Sequence, residues 1–152
     1  MEPIKVDISK GKLTLNGTSV SMPTDLAALE KILGKLTRTR ESGFNRNVYW
    51  TDLGIDCLQE KTGRQAIVQI AFNFEGFYDF DDGKWSKPFT GTVILEGQPA
   101  SKTTDADELS SKIPNIKKAD MGGGFYVKYE DSTFVNLSVS LKNVKSITVY
   151  RP

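Results

Sequence analysis

The chain has no histidine, a single cysteine in 152 residues, and almost complete cancellation of charge, 20 lysines and arginines against 19 aspartates and glutamates. Each shortage removes a class of chemistry. Without histidine the commonest general base, the usual activator of a serine or cysteine nucleophile and the commonest zinc ligand are gone together. The lone Cys57 excludes an internal disulfide and a cysteine-rich metal site, and its solitary use points to a reducing compartment. A net charge of +1 supplies no general field for nucleic acid or an anionic membrane, so an electrostatic partner has to be met by a local patch. No stretch approaches the roughly 20 apolar residues that span a bilayer. The start, Met1-Glu2-Pro3-Ile4-Lys5, has no basic region leading into an apolar run. The expectation is a cytoplasmic chain, or a periplasmic one if a leader has been cut away.

What is present is an ordinary globular balance. Hydrophobic residues make up 38% and charged residues 26%, enough apolar surface to fold without a partner. The length suits one domain over 1–152 with one core. Lys5 to Ile8 and Lys12 to Leu15 read as a hairpin closed by Asn16-Gly17. Thr24 and Asp25 stand where a helix begins, Leu26, Leu29, Ile32 and Leu33 recur at helical spacing, and Gly34 stands at the stop. Strands follow at Val48 to Thr51, Ile55 to Leu58 and Gln65 to Phe74, then at Thr92 to Leu95, Phe125 to Tyr129, Thr133 to Leu141 and Ser146 to Tyr150. A shorter helix is expected from Asp105 to Lys112. The fold class is therefore α+β: a largely antiparallel, twisted sheet with one or two short helices.

Displacing the sequence by about 80 residues aligns Gly11 with Gly91, Leu15 with Leu95, Gly17 with Gly97, Thr24-Asp25 with Thr104-Asp105, Leu29 with Leu109 and Tyr49 with Tyr129. This predicts two tandem strand-strand-helix-strand units, 5–74 and 85–152, built into one domain. The second helix would then take Thr104 as its cap, with Asp105, Asp107 and Glu108 favouring its positive end.

No catalytic constellation emerges, and no metal or cofactor is expected. Asp52, Asp56, Asp79, Asp81 and Asp82 are the clustered acids, but a glycosidase-type pair must face across a cleft, which spacing cannot show. Cys57 alternates with Ile55 and reads as a small buried hydrophobe. Gly122-Gly123-Gly124 lacks the following Lys-Ser/Thr of a phosphate loop and reads as a turn or bulge. Asp79, Asp81, Asp82 and Gly83 lack the glycine position and closing glutamate of a calcium loop. Arg38, Arg40 and Arg46 read as a solvated basic loop.

The most informative segment for function is Phe77-Tyr78-Asp79-Phe80-Asp81-Asp82-Gly83-Lys84-Trp85. Four rings and three acids crowd a loop, the composition of a protein-binding hot spot. Phe77, Tyr78, Asp79, Phe80, Asp81, Asp82 and Trp85 are the candidate partner-binding residues. The competing account folds Phe77, Phe80, Trp85 and Phe89 back as a lid on the core. A carrier of a small molecule or peptide is the alternative function, with Phe72, Phe74, Tyr126 and Phe134 lining its pocket.

A family resemblance rests on Lys12-Leu13-Thr14-Leu15-Asn16-Gly17, on the helix ending Leu33-Gly34 with Arg38 soon after, on Tyr49-Trp50-Thr51-Asp52-Leu53-Gly54-Ile55, and on Phe89-Thr90-Gly91 through Gly97. Together these resemble small bacterial immunity proteins encoded beside secreted antibacterial toxins, of the type VI secretion or polymorphic-toxin kind. Leu36 departs from the pattern, standing where proline is expected. The resemblance implies a cytoplasmic protein that binds a cognate toxin tightly and blocks it, in keeping with the missing catalytic chemistry; from the balanced charge and the lack of a long apolar run, neither nucleic acid nor a membrane is expected as a partner.

Overall fold

In a computed structural model that describes residues 3–152, the chain forms, among the described residues, fifteen strands and two short helices. The leader expectation, which turned on Met1 and Glu2, falls partly outside them. About 47% of the chain is strand and 9% helix, an α+β protein that is mostly sheet.

The opening hairpin is β1 (Lys5–Ser9) and β2 (Lys12–Leu15), and Asn16-Gly17, both at positive φ, turn the chain into β3 (Thr18–Val20). Val6, Ile8, Leu13 and Leu15 alternate with polar residues and are buried, so one face of these strands is committed to the core. After α1 (Leu26–Leu33) come four antiparallel strands, β4 (Arg38–Ser42), β5 (Asn45–Trp50), β6 (Ile55–Glu60) and β7 (Ile67–Asn73). A small hairpin follows, β8 (Tyr78–Asp79) and β9 (Lys84–Trp85). The chain continues through β10 (Thr92–Leu95), β11 (Gln98–Ala100), α2 (Ala106–Ser110), β12 (Lys117–Lys118), β13 (Phe125–Lys128), β14 (Phe134–Ser140) and β15 (Asn143–Tyr150).

A five-stranded sheet has the order β11-β10-β1-β2-β3, and an eight-stranded sheet the order β12-β13-β14-β15-β7-β6-β5-β4. Every pairing is antiparallel except β1 with β10. The inner residues of both sheets, among them Ile8, Leu15 and Leu95 from the first and Ile55, Phe72, Ile147 and Val149 from the second, belong to one hydrophobic cluster. Leu29 and Leu33 of α1 and Leu109 of α2 join it.

Both helices are capped by aspartate rather than by the threonine before it. Asp25 accepts a hydrogen bond from the Ala28 amide at 2.7 Å, and Asp105 from the Glu108 amide at 3.0 Å. A carboxylate at the N-cap satisfies one of the free donors of the first turn. The threonines are held elsewhere through their backbone: Thr24 exchanges bonds with Ile67 at the start of β7, and the Thr104 carbonyl accepts from Val144 in β15.

Two segments expected as loops are strands. Arg38–Ser42 has no apolar alternation, because the face it presents outward is filled by arginines that carry the β8–β9 hairpin. The aromatic segment itself folds as that hairpin, with the Gly83 amide donating to the Asp79 carbonyl at 2.7 Å.

Candidate functional site

The β8–β9 hairpin is seated on the outer face of the eight-stranded sheet near its β4 edge. Cross-strand partners share a face, and the register Arg38–Tyr49, Tyr49–Asp56, Asp56–Ala71 places these four side chains in one outward row. The hairpin covers the edge end of that row. Phe77 stacks on Tyr49 with ring centroids 4.9 Å apart. Asp79 turns inward and meets Arg38 in a two-pronged ion pair, one prong being Nε to Oδ2 at 2.6 Å and the other Nη2 to Oδ1. Arg40 reinforces the seat, donating to Asp81 at 3.2 Å and placing its guanidinium 5.6 Å from the Phe80 ring centroid.

Asp79 is only 2% exposed. Burial pushes its carboxyl pKa up, but the Arg38 guanidinium and the amides of Asp82 and Asp81 outweigh that and hold it below the ordinary range. The chain crossing that delivers the hairpin is tight: the Lys87 amide donates to Thr51, the Phe89 amide to Asn73, and Gly54 lies so close beneath that a Cβ there would stand 2.4 Å from the Phe89 nitrogen. Ser86 bonds back to the Phe77 amide at 2.9 Å and closes the hairpin's base.

The seven sequence-derived candidates therefore divide by position. Phe77 and Asp79 form the seat and Phe89 is buried in the core, whereas Tyr78, Phe80 and Trp85 point away, at 38%, 70% and 64% exposure. These three rings pack on one another edge to face, Tyr78 lying 4.9 Å from Phe80 and 5.6 Å from Trp85. Asp81 and Asp82 are exposed beside them. Of the rings named in the lid account only Phe89 lies in the core; Phe77 is half-buried over Tyr49 on the outer sheet face, and Phe80 and Trp85 are exposed. Arg38 and Arg40, read from sequence as a solvated loop, are the cations that mount the hairpin; only their spacing of two, which puts both on one face of a strand, could have signalled it.

The remaining acids do not converge. Asp52 is exposed, with Lys87 3.8 Å away. Asp56 is half-buried, and the desolvation raises its pKa, although the Asn73 side-chain amide donates to it at 2.7 Å. Among the described residues no three histidine, cysteine, aspartate or glutamate side chains are grouped to hold a metal ion. Cys57 is fully buried, and burial pushes its thiol pKa well up, so it packs as a small apolar side chain. Gly122 and Gly123 turn at positive φ, and Gly124 packs against the Leu137 carbonyl at the entry to β13. The four aromatics assigned to a carrier pocket do not meet: Phe72 and Phe74 are in the core, and Tyr126 and Phe134 lie on the outer sheet face. A hollow of about 510 Å³ lies elsewhere, on the outer face of the five-stranded sheet beside Lys5, Thr14 and Ile94. No helix among the described residues is long and apolar enough to cross a membrane.

Fold and site together define an α+β protein of two sheets that presents a buttressed aromatic hairpin. The chain belongs to the DUF7738 family, described as a domain of unknown function, which matches residues 5–110. No curated protein and no solved structure matches it. The family match runs from β1 to α2 and takes in the whole hairpin, while β12 to β15 lie beyond it. The folded unit extends further than the match, because β15 is the neighbour that covers the second edge of β7.

Proposed function

We propose that this chain is a non-catalytic binding protein, an immunity protein that binds and neutralises a cognate antibacterial toxin through the tip of the β8–β9 hairpin. The observation that carries the reading is the exposure of Tyr78, Phe80 and Trp85 on a support locked by the part-buried Arg38–Asp79 ion pair. Apolar area left in water represents about 25 cal/mol per Å² that burial by a partner recovers. A surface held in one shape loses little entropy on binding, so more of that gain appears as affinity. Asp81 and Asp82 at the rim would steer and orient a basic partner surface. The resemblance to immunity proteins supports the same reading, with the cytoplasm as the compartment.

The scaffold is read as two tandem units. In support, β2, β3, α1 and β4 to β7 are followed in the same order by β10, β11, α2 and β12 to β15, with aspartate N-caps at 25 and 105 and isolated bridges just before each helix, Thr24 to Ile67 and Asp105 to Asn143.

The test is to co-express the chain with the toxin encoded in the adjacent reading frame, and to measure growth rescue and affinity for the wild type and for a Tyr78→Ala, Asp81→Ala, Trp85→Ala triple variant. The reading expects rescue by the wild type and loss of both properties in the still-folded variant. An unchanged dissociation constant sinks the hairpin as the site, and failure of the wild type to bind or protect sinks the immunity function.

A further inference from the structure

The outer face of the eight-stranded sheet repeats, at its far edge, the chemistry of the seat that the hairpin occupies. Read inward from β4, the register row is Arg38, Tyr49, Asp56, Ala71. Read inward from β12, the same row is Lys117, Tyr126, Asn136, Thr148, and Thr148 pairs with Ala71 at the centre. Position by position the two ends match: a cation on the edge strand, a tyrosine beside it, an aspartate or its amide, and a small residue.

The chain covers the first end itself, Phe77 lying on Tyr49 and Asp79 on Arg38, which leaves Tyr49 buried. The second end is open. Lys117 and Asn136 are exposed and Tyr126 is half-buried. The adjoining row widens this open end with Lys128, Phe134 and Tyr150, the last two rings 6.4 Å apart and the Lys128 ammonium 5.6 Å from the Phe134 centroid. The result is an aromatic floor with a lysine at each side.

We propose that this open end docks an extended segment of a partner protein in which an aromatic residue is followed two positions later by a carboxylate, as the chain's own Phe77-Tyr78-Asp79 docks at the first end. The spacing of two follows from strand geometry, since alternate side chains project to one face. The aromatic ring lies on Tyr126 and the carboxylate pairs with Lys117. An ammonium is a point charge rather than a guanidinium fork, and Lys117 is exposed, so the contact is reversible and sensitive to salt. At about 4.8 Å per strand the two ends of the row stand roughly 30 Å apart. This surface is therefore separate from the hairpin tip and does not rest on the immunity reading.

The experiment titrates a synthetic peptide spanning Glu75 to Lys87 of this sequence into the isotopically labelled full chain and follows backbone amide shifts. The expected result is saturable perturbation at Tyr126, Asn136 and Thr148. It should weaken roughly tenfold, about 1.4 kcal/mol, with Lys117→Glu or Tyr126→Ala in the chain and with Asp79→Asn in the peptide. Lys117→Glu alters only an exposed side chain, so it decides the matter even if Tyr126→Ala unfolds. The proposal is overturned if shifts are absent, if they are confined to Tyr49 and Asp56 as the peptide displaces the native hairpin, or if the Lys117→Glu chain binds the peptide unchanged. Concentration-dependent shifts at Tyr126 without peptide, abolished by Phe80→Ala, would assign the surface to a second copy of the chain and overturn a separate partner.

Discussion

Arg38 and Asp79, 41 residues apart in sequence, close a two-pronged ion pair that fixes the β8–β9 hairpin onto the edge of the eight-stranded sheet. Asp79 spends its remaining acceptor capacity on the amides of Asp81 and Asp82, so one buried carboxylate organises both the seat and the turn. Removing the guanidinium strands that carboxylate away from water, which costs more than the pair itself contributes. Arg38→Ala is expected to lower the melting temperature and to speed hydrogen exchange at Asp81 and Asp82, with Arg38→Lys intermediate because it keeps the charge and loses the fork. Unchanged exchange in Arg38→Ala would show that the hairpin is held by something else.

The buried Asp79 and the half-buried Asp56 respond to pH with opposite signs. Asp79 has a folded pKa below its unfolded one, so its stabilisation is present above the ordinary aspartate range, about 3.9, and is lost as pH falls through the lower folded value. Asp56 has a raised folded pKa, from burial only partly offset by Asn73, and it costs stability while ionised. Asp56→Asn keeps an acceptor for Asn73 and should raise the melting temperature at neutral pH. That gain should shrink as pH drops through the raised Asp56 pKa, because wild type then protonates. A variant no more stable than wild type at neutral pH would refute the cost assigned to this carboxylate.

Tip and seat of the hairpin should behave differently on mutation. Phe80→Ser and Trp85→Ser remove rings that stand mostly in water, and each is expected to change folding stability by no more than about 0.5 kcal/mol. Phe77→Ala removes the ring stacked on Tyr49 and should cost more than either, by about 1 kcal/mol or above. Chemical denaturation of the three variants measures the ordering. A larger loss for Phe80→Ser than for Phe77→Ala would reverse the assignment of tip and seat.

Gly54 is where the chain crossing that delivers the hairpin leaves no room. Its φ is +69°, and a Cβ would also stand 2.7 Å from the Lys87 carbonyl oxygen, so both the conformation and the space exclude a side chain. Gly54→Ala should destabilise by more than about 1 kcal/mol, whereas Gly63→Ala, at the same φ but in open space, should cost less. Equal costs at the two positions would leave the close crossing without energetic weight.

Local signals in the sequence carried far. Alternation located the strands with one buried face, and spacing with an acidic start and Gly34 located α1, because these depend on neighbours a few residues away. The displacement of about 80 residues compared positions by their distance along the chain alone. It paired Tyr49 with Tyr129, however, whereas strand register gives Tyr126 the place across the sheet that Tyr49 has, since bulges and loop lengths shift the count. Tyr129 does something else: its hydroxyl donates to Glu96 at 2.9 Å and its ring packs against Gly11, tying three turns together.

By itself the sequence determined what this protein is made of and what it lacks: short amphipathic strands, two capped helices, no histidine, one cysteine, and one segment too rich in rings and acids to be an ordinary loop. Burial is set by periodicity along the chain, so it is readable there, whereas the cap of α2 is Asp105 and not the Thr104 that the sequence suggested. Only the tertiary structure decided which of the rings face water, that Asp79 is turned inward while Asp81 and Asp82 stay out, and that the strand without an apolar pattern, Arg38–Ser42, is the mount. Those outcomes depend on pairings between residues about thirty to forty positions apart, whose energies exist only once the sheet has brought β4, β5 and the hairpin into contact.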